Sequence, residues 1–298
     1  MFNSVRFILA VALVLTSFSL SAQELTGTLK KIKDGGSITL GHRESSIPFS
    51  YYDDNQQVVG YSHELMMKVV EAIKQELKTP NLKVRFNPVT SQNRIPLVQN
   101  GTVDLECGST TNNTERQKQV AFSNSIFVIG TRLLTKKDSG IKDFPDLAGK
   151  NVVTTAGTTS ERLIRKMNDE KKMNMSIISA KDHGESFLTL ETGRAVAFMM
   201  DDALLYGELA KARNAKDWIV TGTPQSFEAY GCMLRKDDPQ FKKLVDATLA
   251  KAMQSGETEK IYKKWFLSPI PPKGLNLNFP MSKEVTALYK NPNDKAFE

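Results

Sequence analysis

The chain has 298 residues, room for two domains of ordinary size. A hydrophobic fraction of 40% with 24% charged residues excludes a disordered chain and fits a soluble globular protein. The formal charge of +7 comes from scattered Lys and Arg, with no long basic run and no recognisable nucleic-acid module. An anionic small ligand, or plain solubility, explains that excess better than nucleic acid does.

The segment Met1 to Ala22 carries one charged side chain, Arg6, then the apolar run Phe7–Leu15. Small residues follow at Ser19, Ser21 and Ala22, so residues 1–22 read as a secretory signal peptide cleaved near Ala22. The apolar core is too short for a spanning helix, and no later stretch approaches that length. The processed protein is therefore expected to be soluble and exported. Only two cysteines occur, Cys107 and Cys232. Export to an oxidising compartment favours a disulfide between them, with two small buried hydrophobes as the alternative. No CxxC pair or Cys/His cluster suggests a metal site, and no cofactor is called for.

After a polar lead over Gln23–Lys33, Ser37–Gly41 reads as the first strand, ending at His42-Arg43-Glu44-Ser45. Pro48–Tyr52 and the Asp53-Asp54-Asn55 turn form a hairpin-like excursion. Helical spacing of Leu65, Met66, Val69, Val70, Ile73 and Leu77 predicts a helix over Ser62–Lys78. Leu82–Phe86 is a second strand, and a helix carrying Arg94 begins from Ser91, with Pro96 tolerable in its first turn. Val103–Cys107 is a third strand, followed by hydroxyls at Ser109, Thr110 and Thr111. Asn112 and Glu115 have capping-box spacing, which places Arg116 in the first turns of a short helix.

Ser125–Thr135 is long for one strand and reads as a connection leaving the first domain. A second set of alternations follows: strand Asn151–Thr155 and helix Thr159–Met167, then strand Met175–Ser179 and helix Glu185–Thr192. Strand Ala195–Met200, helix Ala203–Ala212 and strand Trp218–Val220 complete it. Glu228–Arg235 reads as a second long strand, the return. Amphipathic segments Gln240–Ser255 and Glu257–Phe266 are expected to pack on the first domain. Apolar strands alternating with helices argue for parallel sheets covered on both faces, an α/β fold in two lobes. The expected division is residues 23–130 plus 231–298 in the first lobe and 131–230 in the second.

In open parallel sheets, ligands sit beyond the carboxyl ends of the strands. Every candidate group falls at such an end: Arg43, Ser91, Arg94 and Ser109 to Arg116 in the first lobe, and Gly157–Glu161, His183 and Asp201 in the second. Hydroxyls, free amides and a guanidinium make a cradle for a carboxylate. Gly157-Thr-Thr-Ser-Glu161 offers a helix N-terminus to an anion but lacks the lysine and spacing of a nucleotide loop. Asp201, after an apolar run, needs a cationic partner, which a ligand ammonium supplies; capping the next helix is its alternative role. Counting Arg43, Arg94 and Arg116 against Asp201 gives a cleft of about +2, suited to two carboxylates and one ammonium.

Ser109, Thr111 and Arg116, with Val120-Ala-Phe-Ser123 after them, resemble the amino-acid-binding signature of periplasmic solute-binding proteins (family 3) that serve polar amino acid ABC transporters. His42–Ser45, Thr90–Arg94, Gly157–Ser160 and Asp182-His183 narrow the resemblance to glutamate/aspartate-binding members. The resemblance implies the two-lobed periplasmic-binding-protein fold, each lobe a mostly parallel sheet flanked by helices, with two hinge strands between them. It implies L-glutamate or L-aspartate as ligand and a membrane ABC permease as partner. It also implies a periplasmic and monomeric protein. Arg116, Ser109, Thr111 and Thr159 would then hold the α-carboxylate and ammonium end, with Asp201 on the ammonium. Arg43, Arg94, Ser91 and His183 would hold the side-chain carboxylate. The rival is a secreted enzyme on the same fold, resembling cyclohexadienyl dehydratase, with Glu44 or Glu106 as general acid.

Overall fold

The structure, a computed structural model, describes residues 24–296. The expected signal peptide lies outside these residues. The polar lead turns out to be a helix, α1 (Gly27–Gly35), which buries Thr28, Leu29 and Ile32. Three buried positions in nine residues are too few to register as periodicity, and tertiary packing supplies the rest of the stabilisation. Then come β1 (Ser37–His42), α2 (Tyr61–Leu77), β2 (Lys83–Pro88) and α3 (Arg94–Gln99). They lead to β3 (Leu105–Glu106), α4 (Thr114–Gln117) and β4 (Ala121–Phe122). The excursion after β1 is a small antiparallel sheet of Ser45–Ser46, Ser50–Tyr52 and Val58–Val59.

The long connection is β5 (Phe127–Lys136). It is followed by β6 (Asn151–Thr155), α5 (Thr159–Glu170), β7 (Ser176–Ala180) and α6 (His183–Glu191). The second lobe continues with β8 (Ala197–Asp201), α7 (Asp202–Leu209) and β9 (Trp218–Thr221). The return is two strands, β10 (Phe227–Tyr230) and β11 (Met233–Leu234), rather than one. It breaks where the Gly231 amide donates to the Thr110 carbonyl and the Cys232 amide to the Ser123 hydroxyl. The chain closes with α8 (Pro239–Gln254), α9 (Glu257–Phe266) and α10 (Lys283–Lys290).

The first sheet has the order β2-β1-β3-β11-β4, and the second β7-β6-β8-β5-β9 with β10 paired to β5. In each, one strand is reversed, β11 in the first sheet and β5 in the second, and the others run parallel. The first half of β5 pairs with β10 and the second half with β8 and β9, so these two strands carry the chain between the lobes. Cys107 and Cys232 are bridged, joining the end of β3 to the start of the return strand β11. The first lobe and hinge are sealed by an aromatic cluster in which Phe127 and Phe266 stack at 4.9 Å and Tyr262 and Phe266 at 4.4 Å.

Candidate functional site

The parallel strands of both sheets end toward the same gap, and their C-terminal residues bring the charged groups together. Arg43 directly follows β1 and is 1% exposed. Its Nη1 donates to Ser109 Oγ at 3.5 Å, and that hydroxyl donates to Ser46 Oγ at 3.3 Å. Arg94 opens α3 and is equally buried; its Nη1 donates to the Ser109 carbonyl at 2.9 Å and to Thr110 Oγ1 at 2.6 Å. Among the described residues, Arg94 Nε and the buried Ser91 hydroxyl have no hydrogen-bond partner.

Arg116 lies in α4, but the cap of that helix is Asn113, whose side chain accepts from the Arg116 amide. The expected cap, Asn112, is engaged elsewhere: its amide donates to the Ala229 carbonyl on the return strand at 2.8 Å. Arg116 Nη1 donates to the Thr111 carbonyl at 2.9 Å, and Nη2 reaches the Gly157 carbonyl of the second lobe at 3.3 Å. Burial lowers all three guanidinium pKa values, and repulsion from Arg94 adds to it at Arg43 and Arg116, which fall to about 10 and about 9. Arg43 and Arg116 therefore remain cationic at neutral pH, and Arg94 is counted as cationic because a guanidinium is effectively always protonated.

From the second lobe, Thr158 caps α5 by accepting from the Glu161 amide, and Glu161 reaches back to the Gly157 amide at 2.8 Å. Thr159, the first helical residue, is half-buried at the lobe interface. Asp182 caps α6, so the helix begins at His183, two residues before its expected start. His183 is buried with Nδ1 2.8 Å from Thr155 Oγ1, and its Nε2 has no partner among the described residues. Burial first, then Arg43 and Arg94, hold its pKa well below 6.5, so it adds hydrogen bonding but no charge.

Asp201 ends β8 at 4% exposure. Its Oδ2 accepts from the Tyr230 hydroxyl, and its Oδ1 lies 3.2 Å from Thr131 Oγ1 and 3.3 Å from Ser160 Oγ. Asp201 stands at the N-cap position of α7 without a side-chain capping bond; Asp202, the first helical residue, accepts from the Ala203 amide. Burial, and then the neighbouring Glu228 carboxylate, push the Asp201 carboxyl up to about 8.

Two acids change the charge count. Glu106 is fully buried on β3 and accepts from the Thr110 hydroxyl at 2.8 Å, against Arg94, Arg43 and Arg116. Glu228 on β10 is 5% exposed; its Oε2 accepts from the Thr111 hydroxyl and from Thr159 Oγ1 at 2.6 Å. The cluster therefore holds three arginines and three acids, not three arginines and one. It is neutral if all are ionised and about +1 when Asp201 holds a proton. Glu228, two residues from Tyr230 on β10, shares the face that meets Asp201.

Eight of the nine predicted contact residues are linked across one interface, and the ninth, Ser91, is buried three residues before Arg94. Arg43, Arg94 and His183 gather at one end of it. Arg116, Thr111, Thr159 and Asp201 gather at the other, and Ser109 lies between Arg43 and Arg94. Of the enzyme rival's acids, Glu44 is exposed and Glu106 is sealed behind Thr110 and Arg94. His42 is buried and His63 half-buried, both beside Phe86, and His42 Nδ1 lies 3.1 Å from the Arg43 carbonyl.

The sequence model of the bacterial extracellular solute-binding proteins, family 3, matches residues 38–268. The L-glutamate/L-aspartate-binding protein of Pseudomonas aeruginosa is 68% identical over 290 residues, covering 97% of this chain and 96% of the relative. The glutamate/aspartate import solute-binding protein of Escherichia coli is 66% identical over 269 residues, 90% of this chain and 89% of the relative. Among solved structures, an ancestral amino acid-binding protein, a precursor of cyclohexadienyl dehydratase, superposes with a TM-score of 0.69 at 30% identity. That match covers 80% of this chain and 99% of the ancestral one.

Proposed function

The chain belongs to the bacterial extracellular solute-binding proteins of family 3, and from that premise we propose that it captures L-glutamate or L-aspartate between its lobes in the periplasm. The closed, loaded form then docks on an ABC-type permease, which carries the amino acid inward. The observation behind this reading is a pair of buried poles: Arg43 and Arg94 at one end, and Arg116 with the Asp201 and Glu228 carboxyls at the other. A guest with two carboxylates and one ammonium satisfies both poles. A neutral amino acid leaves two guanidinium groups, Arg43 and Arg94, to share the single carboxylate of Glu106, so one buried positive charge goes unmatched.

Arg94, Arg43, Ser91 and the His183 Nε2 take the side-chain carboxylate in this reading. Arg116 takes the α-carboxylate and Asp201 the ammonium. With Glu44 exposed and Glu106 engaged as a counter-charge, neither acid of the enzyme reading is poised for proton transfer, so the chain acts as a binder; every named contact comes from one chain, as a monomer requires.

Thermal shift across the twenty amino acids tests the assignment. A ligand bound only by the folded chain at a thousandfold excess over Kd adds about 4 kcal/mol, roughly 8 °C or more in melting temperature. Glutamate and aspartate are expected to shift it that far. An equal shift by a neutral amino acid, or none by either acid, would sink the reading.

Capture also needs the lobes to meet closely. A Cβ at Gly207 of α7 would lie 2.1 Å from the Ile47 carbonyl oxygen in the first lobe's excursion, and one at Gly157 would lie 2.8 Å from the Gln92 amide. Gly207→Ala therefore wedges the interface open and is expected to weaken glutamate binding by about 1–3 kcal/mol. Because parting the lobes relieves the clash, the unliganded melting temperature should hold. Calorimetry beside a melting curve checks both.

A further inference from the structure

We propose that Glu228, on the hinge strand between the lobes, makes the site demand an α-ammonium and so excludes dicarboxylates that lack one. The proposal rests on the reading of the cleft as an amino-acid site. A hydroxyl has one hydrogen to donate. Thr111 from the first lobe and Thr159 from the second both direct theirs to the same carboxylate oxygen, Glu228 Oε2. The two hydroxyls are 3.4 Å apart, and with both hydrogens engaged they present only lone pairs to anything between them. Lone pairs accept from an ammonium and repel a carboxylate. Glu228 thus sets the polarity of two side chains that would otherwise donate to an anion.

Its second oxygen extends the same logic. Glu228 Oε1 lies 3.3 Å from Ser226 Oγ, which is 2.7 Å from Thr131 Oγ1, which is 3.2 Å from Asp201 Oδ1. Those three links need three hydrogens, and the two hydroxyls supply two. The third is a proton held at a carboxyl end, in keeping with the upward push on the Asp201 carboxyl from burial and from Glu228. An arriving ammonium brings hydrogens of its own and a full positive charge, so it satisfies both acids at once. A guest without an amine leaves two carboxyls facing each other in a buried site.

L-glutamate and glutarate separate this role from a structural one, because they differ only by the amine. Calorimetry on the wild-type protein should show a strong preference for glutamate. In Glu228→Gln the glutamate affinity should fall roughly ten- to a hundredfold, the size expected for one charged hydrogen-bond partner. Glutarate affinity should hold or rise, so the preference collapses. Glu228→Asp, which keeps the charge, should restore most of it and guards against a misfolded glutamine variant. Equal losses for both ligands, or an unchanged preference in Glu228→Gln, would overturn the proposal. Wild-type protein that binds neither ligand overturns the amino-acid reading itself and takes the proposal with it.

Discussion

Arg94→Ala should weaken L-glutamate binding by about 3–5 kcal/mol, roughly a hundredfold to several thousandfold. The guanidinium is 2% exposed and already fixed by the Ser109 carbonyl and Thr110 Oγ1, so little of its binding energy is lost in ordering it. Truncation leaves the ligand's side-chain carboxylate in a buried site with Arg43 alone beside it. The same change removes a positive charge from in front of Glu106, whose carboxyl burial already pushes upward. An acid in that position takes up a proton instead of standing as a buried unpaired charge, so the fold should survive the substitution. Arg94→Lys keeps the charge but loses the planar fork, and should recover only part of the affinity. Calorimetry settles the point: an affinity within tenfold of wild type removes Arg94 from the site.

The parts of the cluster whose positions could be read from sequence are those that local order dictates. Arg43, Ser109, His183 and Asp201 each sit at or just past a strand's C-terminal end, where βαβ units place ligands. Glu228 was not legible in that way, because its place depends on register: it lies opposite Ile129, about a hundred residues earlier. Asn112 failed for a related reason. Its capping spacing was sound, but a bond to the Ala229 carbonyl, far off in sequence, competed with the cap and won. Glu106 sits on a two-residue strand, too short for alternation to say which face it takes. The charge count of about +2 went astray through these long-range acids, and the ligand class it pointed to rests on where the charges lie as much as on their sum.

Replacing Cys107 and Cys232 together by alanine should lower stability by about 2–4 kcal/mol while leaving glutamate affinity in place. The bridge spans 125 residues of sequence, and within that loop lie β5 and the whole second sheet, β10 included. In the chain-entropy account a loop of that length restricts the unfolded chain by about 5 kcal/mol, an upper figure because denatured chains keep some structure. Native packing works in the same direction, since both sulfurs are fully buried in the first lobe's core and alanine fills less space. Alanine is the cleaner replacement, because serine would bury two hydroxyls and add a desolvation cost unrelated to the crosslink. For a chain of this size the loss should appear as a fall of roughly 5–15 °C in melting temperature. None of the binding groups contacts either cysteine side chain through a hydrogen bond among the described residues, so the ligand curve should be unmoved. Reduction of the wild-type protein should reproduce the fall. If the double variant melts with wild type, the second lobe's chain ends are already held together in the unfolded ensemble, and the crosslink adds nothing to the fold.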